Sequence, residues 1–180
     1  MKTSLKQTLS KLLLSLLFCA LTACFSQKNT LFNRNLQNLT AHYNILYNAN
    51  LLLAESEEDM RLAYKDNYDH LIPVYQEPND ALSQPQVPKL DEALIKANKI
   101  INQKTQSHYI GDAYFIIAKA NYLKSNFFNA LGFFDYVYEK YRKQDDLGQA
   151  SLAWKARSLI QLELLDEAQA TLDSEIGRAH

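Results

Sequence analysis

Glycine, proline and cysteine are scarce in this chain of 180 residues, which has 4, 4 and 2 of them. So little turn-forming material argues against a loop-rich sandwich and for a helical protein. Both cysteines, Cys19 and Cys24, lie near the start, which excludes a disulfide framework or a Cys-based metal cage for whatever folds downstream. The histidines His42, His70, His108 and His180 stand isolated, and none has another His or Cys at ligand spacing, so no zinc site is expected. A Gly-rich phosphate loop, a Gly-x-Ser-x-Gly elbow and a His-Glu-x-x-His helix are all missing. Charge is balanced at a net of −1, which rules out a polybasic nucleic-acid arm or a disordered acidic tail. What is abundant is apolar and aromatic: 47% hydrophobic residues, with 11 Tyr and 8 Phe. That fits one or two globular domains whose core rests on packing.

The first 23 residues read as an address. Lys2, Lys6 and Lys11 precede the apolar run Leu12 to Leu21, about half the ~20 residues a membrane-spanning helix needs, so a signal peptide is expected. The run closes on Leu21-Thr22-Ala23-Cys24, which resembles a bacterial lipobox. The resemblance implies acylation of the Cys24 thiol, cleavage before it and acylation of the new amino group. The competing reading is an ordinary secretory peptide cut after Ala20 or Ala23. The position of the tetrapeptide at the end of the apolar run favours the lipobox. Several acyl chains hold a protein on a bilayer far more firmly than one, with no spanning helix. Position 25 is Phe and no acidic run comes after it, which resembles the sorting pattern of outer-membrane lipoproteins facing the periplasm. Cleavage would remove three lysines and no carboxylate, shifting the net charge from −1 to −4, unlike a phosphate-backbone binder.

Residues 24–35 are polar and Asn-rich and read as a tether. An N-terminal helical segment is expected over 36–72, where Leu36, Leu39, Tyr43, Leu46, Tyr47 and Leu51 recur at helical steps. Ser56 with Asp59 resembles a capping box that starts a second helix or marks a bend. Residues 73–88 carry all four prolines and read as a linker without regular helix. Asp91 reads as the N-cap of the next helix, Gly111-Asp112 and Ser125-Asn126 as breaks. Helices are expected from about Ala113 to Lys124, Phe127 to Arg142, Gln149 to Leu164, and from Asp166 onward.

Within residues 89–174 a pattern recurs. Leu90-Asp91-Glu92-Ala93-Leu94, Phe127-Phe128-Asn129-Ala130-Leu131 and Leu165-Asp166-Glu167-Ala168-Gln169 place their alanines 37 and 38 residues apart, and Ala118 and Ala156 stand twelve residues before the later two. With Phe134 and Leu172 four residues further on, this resembles the tetratricopeptide repeat, whose period is about 34 residues. Ala replaces Gly at the eighth position, and the closing Pro is missing. The expected fold is therefore all-α, tetratricopeptide-like helix-turn-helix repeats forming an α-solenoid after a lipoprotein signal peptide. A plain antiparallel helical bundle is the alternative.

No constellation for catalysis emerges, so no enzyme activity, metal or cofactor is expected. The acidic cluster Glu55, Glu57, Glu58 and Asp59 reads as a solvated helix start. The aromatic residues between Tyr114 and Tyr141 read as packing between helices. Function then falls to surface. By repeat position the residues lining a partner-binding groove are Asp112, Phe115, Lys119, Tyr122 and Arg157, a set suited to a polypeptide.

Asn38-Leu39-Thr40-Ala41-His42-Tyr43-Asn44, Tyr47-Asn48-Ala49-Asn50 and Leu71-Ile72-Pro73-Val74-Tyr75, taken with the lipobox and the repeats, resemble the N-terminal part of the PorW/SprE lipoproteins of the Bacteroidota type IX secretion and gliding machinery. The resemblance implies a lipid-anchored scaffold on the periplasmic face of the outer membrane. Its partners would be components of the secretion translocon and of the inner-membrane motor or ring, with no nucleic acid and no small-molecule substrate. Members of that family are much longer. Residues 175–180, Glu-Ile-Gly-Arg-Ala-His, equal the translation of a common sequencing adapter, so the natural chain is expected to continue past Ser174. A second reading is an outer-membrane nutrient-binding lipoprotein with tetratricopeptide helices. It would need a glycan platform of exposed aromatics, and the chain has one Trp, Trp154, inside a repeat helix.

Overall fold

In the computed structural model, which describes residues 30–69, 72–73, 75–143 and 145–176, Thr30 opens the first helix by accepting the Asn33 backbone N–H at 3.3 Å. Cys24, residues 1–23 read as a signal peptide, and residues 177–180 lie outside the described residues. Helix α1 (Leu31–Thr40) runs through a π-helical stretch, Ala41–Leu46, into α2 (Tyr47–Ala63) without a break. It thus begins inside the stretch read as a tether and ends nine residues before the expected 72. Ser56 starts nothing: it is buried mid-helix, where its hydroxyl donates to the Leu52 carbonyl at 2.8 Å and so has no capping role left.

The buried face of this long helix is also not the one its leucines and tyrosines indicate. Ala41, Leu46, Ala49, Leu53, Ser56 and Met60 face the core, while Leu36, Leu39, Tyr43, Tyr47 and Leu51 are exposed. Apolar residues occupy both sides of the helix, so periodicity finds the helix but leaves its orientation to small residues that permit close packing.

The described residues 64–69, 72–73 and 75–79, which come next, lie outside any helix. Asn79 then caps a single turn, α3 (Asp80–Ser83), by accepting the Leu82 N–H, and a 3₁₀ turn, Gln84–Gln86, leads into α4 (Val87–Gln103). The proline-bearing segment therefore does hold helix. Pro85 and Pro88 sit in the first turns of their elements, where no backbone N–H is needed. Asp91 is consequently inside α4, and its carboxylate takes Lys124 at 2.7 Å instead of capping.

Four further helices complete the described chain: α5 (Ile110–Leu123), α6 (Phe127–Tyr141), α7 (Asp145–Gln161) and α8 (Leu165–Ile176). All regular elements among the described residues are helical. Each of α4 to α8 packs on the next, and α5 also touches α2 and α7. The turns α5–α6 and α7–α8 share one geometry. Ser125 (φ 59°) and Glu163 (φ 61°) are left-handed, and the backbone N–H groups of Asn126 and Leu164 donate to the carbonyls five residues back, Asn121 and Leu159, each at 2.9 Å. These paired bonds satisfy the last carbonyls of the helix and reverse the chain.

The core is built of small residues at helix contacts and large ones between them. Ala93, Ala97, Ala113, Ala118, Ala120 and Ala130 are fully buried, as are Leu53, Leu90, Ile116, Tyr122 and Phe134. Ser151 and Ser158 serve as small residues too, each hydroxyl returned to the carbonyl four residues back. A Cβ on Gly111 would come within 2.8 Å of Leu147 and 3.0 Å of Tyr141, so this glycine sets how closely α5 meets its neighbours.

The acidic cluster is not a helix start: it lies in the second half of α2 and forms a seam. Glu57 pairs with Lys119 on α5 at 3.0 Å and Asp59 with Lys89 on α4 at 2.6 Å, while Glu58 pairs within its helix with Arg61. Most of these groups are solvent-screened, so the pairs fix register more than stability.

Candidate functional site

Helix α5 presents Asp112, Phe115, Lys119 and Tyr122 at steps of three, four and three residues, which is one stripe of an α-helix. Arg157 on α7 faces its lower end, and α2 borders it on the other side. The five residues picked from repeat position therefore share a face, but the structure divides four of them between two clefts and leaves Lys119 in neither. One, of about 470 Å³, takes in Asp112 and Phe115 with His108, Tyr109, Asn50 and Leu147. The other, of about 190 Å³, takes in Tyr122 and Arg157 with Met60, Glu77 and Trp154.

Their availability differs from the expectation of an open rim. Tyr122 has no exposed surface: its ring lies edge-on to Phe127 and Trp154, both with centroids 5.1 Å away. Its hydroxyl donates to the Glu77 carboxylate. Phe115 is half-buried with its edge against Phe134 at 5.5 Å. Lys119 is bound to Glu57 and lies 5.1 Å from the centre of the Trp154 ring.

Arg157 is the centre of the lower cleft. One guanidinium nitrogen donates to both Glu77 oxygens, at 3.0 and 2.9 Å. The guanidinium carbon stands 4.3 Å from the Trp154 ring centre, 5.3 Å from Tyr122 and 5.8 Å from Tyr75. Burial alone lowers the Arg157 pKa, but the hydrogen bond and charge of Glu77, with Tyr122, raise it on balance. For Tyr122, burial first and then Glu77 push the hydroxyl well above the ordinary tyrosine range. Both groups hold their protons at any working pH, so this end of the face is a fixed pair of donors aimed at a carboxylate.

At the other end, burial pushes the Asp112 carboxyl above its ordinary pKa. A hydrogen bond from its own backbone and the charges of His108 and His42 pull the other way. A carboxyl harder to ionise when folded costs stability above its folded pKa, and the cost fades as pH falls through that value towards the unfolded pKa of about 4. Asp112→Asn is therefore expected to melt higher than the parent at pH 7, with the difference shrinking as the pH approaches about 4. Thermal melts across that range check it; a constant difference would assign the gain to packing.

Glu77 and Trp154 are central here, and sequence reasoning assigned neither to the site. Glu77 lies 45 residues from Tyr122 and 80 from Arg157, inside a segment read as linker. Its one local signal is the run Tyr75-Gln76-Glu77-Pro78, an aromatic and a carboxylate beside a proline. Trp154 does pack, stacked on Phe134 at 5.9 Å and 21°, and also meets Arg157 and Lys119.

Among the described residues, no group of three His, Cys, Asp or Glu side chains is placed to hold a metal ion. No helix among them is long and apolar enough to cross a membrane. Compared with known proteins, the chain matches no family model and no curated protein.

Proposed function

We propose that this protein is a lipid-anchored scaffold of tetratricopeptide-like hairpins that binds partner polypeptides along the face of α5 and α7. The observation that carries this reading is the Asp112–Phe115–Lys119–Tyr122 stripe with Arg157 opposite it: two clefts, hydrogen-bond donors and aromatic walls on one face, of the kind that grips an extended chain. The repeat reading is supported by the shared turn at Ser125 and Glu163, 38 residues apart, and by the burial of Ala118, Ala130, Ala156 and Ala168. Ala130 and Ala168 are each the fourth residue of their helix, whereas Ala93 is the seventh of α4 because that helix starts a turn early.

On the sequence resemblance, the scaffold belongs on the periplasmic face of the outer membrane. There it would join type IX translocon proteins to inner-membrane motor or ring components. The contacts of Trp154 with Phe134, Tyr122, Lys119 and Arg157 favour a polypeptide over a glycan ligand, because this ring is already engaged by protein groups.

Two experiments test the reading. Co-purification from native outer membranes is expected to recover translocon proteins, whereas glycan binding with no such partners would overturn it. Cys24→Ser is expected to release the protein from washed membranes into the soluble periplasmic fraction, and retention on the membrane would remove the lipid anchor.

A further inference from the structure

Residues 76–78, outside any helix, form one wall of the lower cleft, with Glu77 seated against Tyr122 and Arg157. Among the described residues, no backbone hydrogen bond ties 75–78 to a helix, so the segment is held by its side chains. Glu77 supplies the polar hold through Tyr122 and Arg157, and Pro78 is buried beside it. Tyr75 is 71% exposed and reaches only the outer side of Arg157. The facing wall is closely packed: Tyr122 is fully buried, and the Trp154 ring contacts Phe134 and Tyr122.

This is how a short peptide binds: one carboxylate in a two-donor pocket, a proline against an apolar wall, and little else. We propose that residues 75–79 are an internal stand-in for a partner segment, and that the Tyr122–Trp154–Arg157 pocket takes an extended peptide carrying Glu-Pro in place of Glu77-Pro78. The inference rests on the scaffold reading and names the chemistry its groove recognises. The chain's own segment is the model for the occupant, being the one sequence seen in the pocket.

An occupant on the same chain competes at an effective concentration on the order of millimolar. An external peptide must displace it, so the pocket is closed to weak ligands until the internal segment is loosened.

Trp154 is the only tryptophan in the chain and touches Arg157, so its emission reports on this pocket. The test uses the full chain in mild detergent, titrated with acetyl-Tyr-Gln-Glu-Pro-Asn-Asp-amide. Glu77→Gln is expected to bind this peptide at least about tenfold more tightly than the parent. The same peptide with Gln for Glu is expected to be inactive, and adding Arg157→Met to Glu77→Gln is expected to abolish binding. Equal affinity in the parent and Glu77→Gln, or equal binding of the two peptides, would overturn the proposal. If Glu77→Gln does not fold, as judged by circular dichroism, Glu77→Asp decides: the retracted carboxylate should raise peptide affinity several-fold, and no rise counts against the proposal. Peptide failure with translocon proteins still co-purifying sinks this inference alone. Peptide binding with no translocon recovery sinks the assignment to the secretion apparatus and leaves the pocket standing.

Discussion

Replacing Phe134 with alanine is expected to lower the unfolding free energy by about 3–5 kcal/mol, the range for deleting a buried ring. Phe134 has no exposed surface and stands where three helices meet. From α6 it presses its edge on Phe115 of α5 and stacks on Trp154 of α7. None of these neighbours can close the space without leaving another contact, since Trp154 is also held by Tyr122 and Arg157. Domains are stable by roughly 5–15 kcal/mol in total, so the loss is a large share. In a chain of this size it corresponds to a fall in Tm of roughly 6–20 °C. Thermal and urea unfolding monitored by circular dichroism measure it, with Phe134→Leu expected to lose much less. A loss under about 1 kcal/mol would mean that the aromatic cluster is not closed.

The opposite change, small to large, is expected to be nearly as damaging at Ala130. This residue is fully buried on α6, at a position where only a methyl group separates the helix from its neighbours. Three added carbons in Ala130→Leu must push the helices apart or leave their preferred rotamer, at a cost of about 1–3 kcal/mol or more. Ala153, exposed on α7, provides the matched control: the same substitution there should stay within about 0.5 kcal/mol. If both variants melt alike, Ala130 is not a close-contact position, and the supporting argument for repeats from buried alanines fails with it.

The helical hairpins were legible in part because they are local, although Gly111-Asp112, read as a break, lies inside α5, and α7 starts at Asp145 rather than Gln149. The break at Ser125-Asn126 and the start at Phe127 follow from the end of one apolar pattern and the start of another, and the structure has them there. Capping was read less well. Asp91 has the right chemistry for an N-cap, but proline tolerates the first turn, so Val87 starts the helix and Asp91 is released for Lys124. The orientation of α1 and α2 was not legible, since leucines lie on both sides while Ala41, Ala49 and Ser56 mark the packed one.

For the candidate site, repeat position named Asp112, Phe115, Lys119 and Tyr122, whose spacing puts them on one side of α5. It could not tell that Glu57 and Glu77, from distant segments, answer two of their polar groups. Such pairings depend on tertiary geometry, and nothing in a local window encodes them.

Packing between consecutive helices has a kinetic consequence. Contacts made close along the chain form at small loop-closure cost, so hairpins such as α5–α6 are placed to assemble early and act as templates for the helices that dock on them. The Glu77–Arg157 bond, by contrast, joins points 80 residues apart and draws its ends together last. The pocket's polar closure is thus a late-forming, non-local contact that depends on the local hairpins being in place.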